Sequence, residues 1–312
     1  MDAWAHLRVE IEDPFGFFEG ELSQFDNLSE VNVDPTDGLE NGRETRYNPF
    51  SDSKNVIMQP TDEAIKKVPE ITAVFWIIKL LSTAMGESTS DYLVYQINPY
   101  LAVAIGTAGL VVALILQLTV RRYIAWIYWL AVVMVAVFGT MAADVTHVVL
   151  GVPYLASTAA FSVILAAVFV IWQRSERTLS IHSIYTLRRE LFYWATVMAT
   201  FALGTAAGDM TASTLNLGYF PSLLLFAVLF VLPGAASYLF GLNDIVAFWF
   251  AYVMTRPLGA SFADWIGKPY LGGLGLGDGK IAMVLTALII GFVVYVTVAA
   301  KRNRDENRAT TT

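Results

Sequence analysis

The stretch YWATVMATFALGTAAGD (Tyr193 to Asp209) decides the fold, because three further stretches repeat its plan without a gap. They are FWIIKLLSTAMGESTSD (Phe75 to Asp91), YWLAVVMVAVFGTMAAD (Tyr128 to Asp144) and FWFAYVMTRPLGASFAD (Phe248 to Asp264). Each reads aromatic-Trp-x9-Gly-x4-Asp, giving Trp76, Gly86 and Asp91; Trp129, Gly139 and Asp144; Trp194, Gly204 and Asp209; and Trp249, Gly259 and Asp264. Fourfold self-similarity at long period is the mark of a repeat architecture. Here the repeated element is an apolar run long enough to cross a bilayer.

Working outward, apolar runs fall near residues 70–94, 99–120, 123–147, 152–172, 190–213, 219–240, 244–267 and 280–300. A window of about 20 apolar residues spans the hydrocarbon layer, so the expectation is an all-α, polytopic membrane bundle of about eight transmembrane helices. Each repeat holds two spans (about 66–120, 121–173, 186–240 and 244–300) and successive copies enter the membrane in the same direction. These are parallel repeats, and they predict a pseudo-fourfold or two-plus-two arrangement. The odd helices, which carry the ionisable groups, are expected to line the centre. The even ones, almost purely apolar, are expected to face lipid. Gly204, Ala206, Ala207 and Gly208 suit close helix approach, and the repeat Trp residues serve either as packing between repeats or as interface anchors.

The composition agrees. Of 312 residues, 56% are hydrophobic and 15% charged, with a mean hydropathy of +0.55, against roughly 25% charged in an ordinary soluble domain. Cysteine is absent, which excludes disulfides, thiolate metal sites and cysteine nucleophiles. The net charge of -7 lies mostly in residues 1–65, an acidic segment rich in turn formers such as Asp34-Pro35 and Asn41-Gly42. It reads as a mostly disordered tail, with Phe15, Phe17, Phe18 and Phe25 available to dock on a protein partner. Residues 301–312 form a short basic tail.

Nothing at the start resembles a secretory signal. Lys66, Lys67, Arg121, Arg122, Arg174, Arg177, Arg188, Arg189, Lys301 and Arg302 fall on one side of the membrane if every span crosses once, and Lys268 and Lys280 on the other. The positive-inside rule then puts both termini in the cytoplasm of a plasma (inner) membrane protein. The basic connection Gln173 to Arg189 reads as a solvated cytoplasmic loop.

A carboxylate at bilayer depth costs about 2.5–3.5 kcal/mol, so four Asp residues at one level need water, protons, cations or bases. The intramembrane bases Lys79 and Arg256 stand three and seven positions after their Trp, and the Asp stands at position fifteen. At 1.5 Å per residue they fall about 18 and 12 Å short of it. Glu87, at position eleven, is the better partner for Arg256. Position eleven also holds Thr140 and Thr205, one turn before their Asp on the same face. Asp91, Asp144, Asp209 and Asp264, with Glu87, Thr140 and Thr205, form the candidate cation-binding set. His147 is a further candidate ligand or proton carrier. The position-ten glycines, Gly208 and Pro257 are places where a helix could unwind to offer carbonyls. Gly272 to Lys280 is glycine-rich but lacks the Walker spacing, so it reads as a flexible or re-entrant outer loop.

The blocks from Lys67 to Glu87, from Arg188 to Asp209 and from Arg256 to Trp265 resemble those of an uncharacterised family of bacterial and archaeal membrane-anchored proteins, built from four tandem two-helix repeats with a recurrent tryptophan. The resemblance covers about residues 66–300 and implies membrane location and repeat architecture. The functional expectation is cation transport or export, of a divalent metal such as Mn²⁺ or coupled to protons, with no enzymatic activity, no cofactor beyond the transported ion and no nucleic-acid partner. The alternatives are a sensor or scaffold working through the acidic tail, and a membrane-embedded lipid-processing enzyme. The last is disfavoured by the absence of DDxxD, HExxH or nucleophile-elbow patterns.

Overall fold

The structure, a computed structural model, describes residues 66–310; the acidic segment and its phenylalanines lie outside the described residues. Eight helices follow in order: α1 (Ala73–Gln96), α2 (Pro99–Thr119), α3 (Ala125–Asp144), α4 (Tyr154–Glu176), α5 (Leu187–Asp209), α6 (Tyr219–Phe240), α7 (Asp244–Gly267) and α8 (Asp278–Thr310). No strand occurs among the described residues. All but α1 are long and apolar enough to cross a membrane. Helix α1, at 24 residues, is long enough to cross but carries Lys79, Glu87 and Asp91. The chain is a polytopic helical bundle, and its seven apolar helices make it a multi-pass membrane protein.

Local chemistry sets the helix starts. Thr72, Asn98, Thr186 and Asn243 each accept a backbone N–H from the first turn of α1, α2, α5 and α7, satisfying donors that no carbonyl in the helix can reach. Pro99 adds a preset φ at the first position of α2. Before α1, Lys67 pairs with Glu190, whose other oxygen accepts from Gln117 at 2.9 Å. All three side chains are buried, which fastens the root of α1 to α5 and α2.

The odd helices close a ring in which α1 touches α3, α3 touches α5, α5 touches α7 and α7 returns to α1. Two sets of repeat residues make each seam. At the amino-terminal ends, the aromatic before each Trp meets the Trp of the next repeat: Phe75 with Trp129 at 5.8 Å between centroids, Tyr128 with Trp194 at 5.7 Å, Tyr193 with Trp249 at 6.2 Å, and Phe248 with Trp76 at 5.7 Å. All four tryptophans are buried, so packing between repeats, and not anchoring at an interface, accounts for their recurrence.

Ten positions on, each glycine faces position seven of the next repeat. A Cβ at Gly86 would collide with Ala136, at Gly139 with Phe201, at Gly204 with Arg256 and at Gly259 with Thr83. The glycines therefore serve close approach and not unwinding, since the α-helix runs unbroken through all four and through Pro257. Winding changes later, where one π-helical turn follows Asp144 (Val145–Val149) and another follows Asp209 (Met210–Thr214).

The even helices form an outer layer, each against the odd helix of the following repeat: α2 on α3, α4 on α5, α6 on α7 and α8 on α1. Only 17% to 28% of their apolar windows is buried, against 61% to 67% for α3, α5 and α7. The bundle thus presents its even helices outward, and α8 continues in one helix through the basic segment that follows residue 300.

Candidate functional site

Positions seven, eleven and fifteen of each repeat lie on one helix face, the face that the ring turns inward, at three successive depths. At position seven, Arg256 is fully buried. Its Nη2 donates to Glu87 Oε2 at 2.5 Å, to Thr205 Oγ1 at 2.6 Å and to Thr140, while Nη1 donates to the Thr83 carbonyl at 3.3 Å. All three oxygen-bearing residues of position eleven therefore converge on one guanidinium. The repeat lacking such a residue there, with Ala260 in its place, supplies the arginine.

The four Asp residues of position fifteen lie one turn further along. Their charges act on one another: Asp91, Glu87 and Asp209 act on Asp144, and Glu87, Asp91 and Asp209 act on Asp264. They stand toward the carboxyl-terminal ends of their helices, in a zone where the helix dipole adds further negative potential. Within that zone Glu87, Asp91 and Asp264 each present an oxygen, the three within 4.8 Å of one another.

Lys268, one turn past Asp264, reaches back into the cluster. Its Nζ lies 2.7 Å from Asp264 Oδ1 and 2.9 Å from Asp91 Oδ2. Burial works against its charge, but the carboxylates of Asp264, Asp91 and Glu87 outweigh burial and hold the ammonium well above the usual lysine range. No basic side chain forms an ion pair with Asp144 or Asp209 among the described residues, and both residues are half-buried as a whole.

The segment after Lys268 is an ordered fold-back and not a flexible loop. Leu274 N bonds the Trp265 carbonyl at 2.6 Å, Leu276 N that of Ile266 at 3.0 Å and Gly277 N that of Gly267 at 3.1 Å. Gly272, Gly275 and Gly277 take the positive φ angles that this path requires. The fold-back pins Lys268 over the acids and also reaches α6, through Tyr219 N to the Leu271 carbonyl at 3.1 Å.

Two tyrosines border the cluster. Tyr154 is within electrostatic reach of Asp209 and Asp144, and Tyr219 of Asp264 and Lys268. His147, in the π turn after Asp144, directs Nδ1 to the Val152 carbonyl at 2.8 Å and stacks on Tyr154 with centroids 3.5 Å apart. The structure does not bring its ring into the group formed by Glu87, Asp91 and Asp264. Lys79, two turns before Glu87, is buried toward the aromatic end of the ring, with Nζ 4.1 Å from the Phe201 centroid and 4.2 Å from that of Tyr252. It does not extend to either surface.

Lys268 and the tyrosines are the residues that sequence reasoning passed over. Lys268 had a signal, the i, i+4 spacing from Asp264. Tyr154 had another in the recurring Pro-Tyr-Leu of Pro99-Tyr100-Leu101, Pro153-Tyr154-Leu155 and Pro269-Tyr270-Leu271, whereas Tyr219, after Gly218, had none.

A family model described as Repeat of Unknown Function (DUF347) matches the chain four times, over residues 74–123, 127–178, 192–242 and 247–302. Every match begins one residue before the aromatic-Trp pair and takes in one odd helix with the even helix after it. No curated protein and no solved structure matches the chain.

Proposed function

The chain belongs to this repeat family, and from that premise we propose that it is a membrane transporter that moves a small cation through the acidic cluster. The observation that carries the reading is an excess of carboxyl groups over bases at one level of the bundle. Among the described residues, the five acids Glu87, Asp91, Asp144, Asp209 and Asp264 are met by two bases, Arg256 paired with Glu87 and Lys268 paired with Asp91 and Asp264. Carboxyl groups in excess over bases favour a cation or a proton and disfavour an anion, and at low dielectric that preference is large. An all-oxygen ligand set suits Mn²⁺, Mg²⁺, Ca²⁺, Na⁺ or a proton better than soft copper.

The built-in cations divide the work. Arg256 is enclosed and multiply bonded, so it acts as a fixed strut holding Glu87 toward the axis. Lys268 stands on a turn and sits between two carboxylates where a hard cation would bind. It is a tethered cation that the cargo displaces, and its return expels the cargo. The half-buried Asp144 and Asp209 offer first contact from the carboxyl-terminal side of the odd helices. Toward the other side Phe201, Tyr252 and the repeat tryptophans Trp76, Trp129, Trp194 and Trp249 are buried. We place the protein in the plasma membrane with both termini cytoplasmic, which makes the acidic cluster face outward.

The test is flux of Mn²⁺, with Mg²⁺, Ca²⁺ and Na⁺ in parallel, into proteoliposomes of the full chain. Saturable flux that is lost in Asp144→Asn and Asp209→Asn is the expected result. No flux of any of these ions, or unchanged flux in both variants, overturns the proposal.

A further inference from the structure

A groove of about 910 Å³ runs between the last turns of α1 and the first turns of α8, on the side of the bundle turned away from the acidic cluster. One wall is formed by Tyr92, Leu93 and Tyr95 of α1, and the other by α8 from Asp278 to Ile290. Small residues shape it. Gly279, Ala282 and Ala287 leave α8 shallow along this line, and the Tyr92 ring stands so close to Gly279 that a Cβ there would meet it at 2.7 Å. Only 22% of the apolar window of α8 is buried, so the medium that fills the groove is the bilayer.

The two ends of the groove differ in chemistry. Toward the bilayer centre it is lined by Met283, Ala287 and Ile290, and its hydroxyls bond within their own helices: Thr286 Oγ1 donates to the Ala282 carbonyl at 2.6 Å, and Thr89 Oγ1 to Met85 Sδ at 3.1 Å. That part suits hydrocarbon. At the other end Asp278 and Lys280 line the same groove, and neither forms an ion pair among the described residues. Lys280 is exposed; Asp278 is half-buried, its Oδ1 packed against Gly267 so closely that a Cβ there would collide with it. From Asp278 to Ile290 the helix rises about 18 Å, close to the roughly 15 Å of hydrocarbon in one leaflet. Tyr92 and Tyr95 stand at the polar end, the level at which tyrosine is enriched in membrane proteins.

We propose that this groove binds one phospholipid with an ethanolamine headgroup, its ammonium on the Asp278 carboxylate, its phosphate on the Lys280 ammonium and an acyl chain along Met283, Ala287 and Ile290. Both polar contacts are charge-assisted hydrogen bonds. The acid and the base together select the headgroup. A choline nitrogen has no N–H to donate to Asp278, and a glycerol headgroup carries no positive charge to set against it, so its phosphate would add a second anion beside the carboxylate. Asp278 is within electrostatic reach of Lys268 and Glu87, which places the lipid ammonium beside the acidic cluster and offsets one carboxylate there. The inference needs only the membrane placement of the chain and stands apart from the transport reading.

Native mass spectrometry of the detergent-solubilised full chain tests it, with dioleoyl phosphatidylethanolamine, phosphatidylcholine and phosphatidylglycerol titrated separately. Wild type is expected to retain one phosphatidylethanolamine with an affinity about tenfold above that for either of the others. Asp278→Asn is expected to weaken phosphatidylethanolamine and strengthen phosphatidylglycerol, Lys280→Gln to weaken both, and Thr286→Trp, which fills the groove below the headgroup, to weaken all three. Lys280 and Thr286 are exposed, so their variants carry the test if Asp278→Asn does not fold. Equal retention of the three lipids by wild type, tightest retention of phosphatidylglycerol, or unchanged phosphatidylethanolamine retention in Lys280→Gln or Thr286→Trp overturns the inference, whatever the flux measurements show.

Discussion

Repeats one and four share Trp, Gly and Asp with repeats two and three, but the two pairs treat the Asp in opposite ways. Asp91 and Asp264 are buried and bridged by Lys268, and no π turn follows either of them. Asp144 and Asp209 have no ion pair among the described residues, and each is followed at once by a π turn. The same division holds one turn earlier: Glu87 and Arg256 come from repeats one and four, the hydroxyls of Thr140 and Thr205 from two and three. Since α1 neighbours α7 and α3 neighbours α5, the ring of four repeats divides in chemistry into a charged half beside a hydroxyl half. A π turn adds a residue to one turn of helix and recurs at functional sites. Its confinement to the unpaired half puts the adaptable backbone beside the carboxylates that are free to meet a ligand.

The charged half should be the half that stability depends on. Removing Arg256 leaves Glu87 buried and unpaired, which typically costs about 3–5 kcal/mol. Arg256→Met should therefore produce the largest loss in thermal or denaturant unfolding of the solubilised protein. The double variant Arg256→Met with Glu87→Met should recover much of that loss, because it removes both charges together. Arg256→Lys should rescue poorly, since one ammonium cannot reproduce the fork that reaches Glu87, Thr140 and Thr205 at once. If Arg256→Met unfolds where wild type does, the central pairing is wrong.

A matched set of Asp→Asn changes sharpens the contrast. Asp264→Asn deprives Lys268 of a charged partner and should cost about 1.5–3 kcal/mol, with Asp91→Asn similar. Asp144→Asn and Asp209→Asn break no ion pair and should stay within about 0.5 kcal/mol of wild type while abolishing cation flux. Equal destabilisation across the four would erase the distinction. Within α5 a smaller effect separates seam from open space. A Cβ at Gly204 meets the Arg256 stem, whereas one at Gly208 finds Ala260 at an ordinary 3.7 Å. Gly204→Ala should therefore cost about 1–3 kcal/mol, and Gly208→Ala should be neutral or slightly stabilising from its better helix propensity.

Depth and facing were legible in the sequence, because both follow from one helix at a time. Spacings of seven, eleven and fifteen after Trp determine a face and a level, and level alone named Glu87 as the partner of Arg256. Order around the ring was not legible, since it depends on which helices meet. Thus Thr140 and Thr205 read as ligands for a visitor, whereas the structure directs them to an arginine of the fourth repeat. The glycines read as weak points of the helix, because a position without a side chain looks the same whether it unwinds or receives a neighbour. The π turns have no sign in residue type: the residues after Asp144 are Val-Thr-His-Val-Val and those after Asp209 are Met-Thr-Ala-Ser-Thr. The ordered path of Gly272 to Gly277 was hidden for a similar reason, as glycine serves a flexible loop and a tight fold-back equally well.

Lys268→Gln gives the most direct reading of what divides the halves. If this lysine competes with the cargo for Asp91 and Asp264, neutralising it frees two carboxylates and should tighten Mn²⁺ binding about tenfold, about 1.4 kcal/mol. Without Mn²⁺ the variant should unfold more easily, because two buried acids lose their counter-charge. Saturating Mn²⁺ should restore the difference by mass action. Tight binding and easy release conflict, so turnover in vesicles should fall even as affinity rises. Weaker Mn²⁺ binding in Lys268→Gln would instead make the lysine a prop for the carboxylates, and the paired half would then be scaffold while Asp144 and Asp209 alone formed the site.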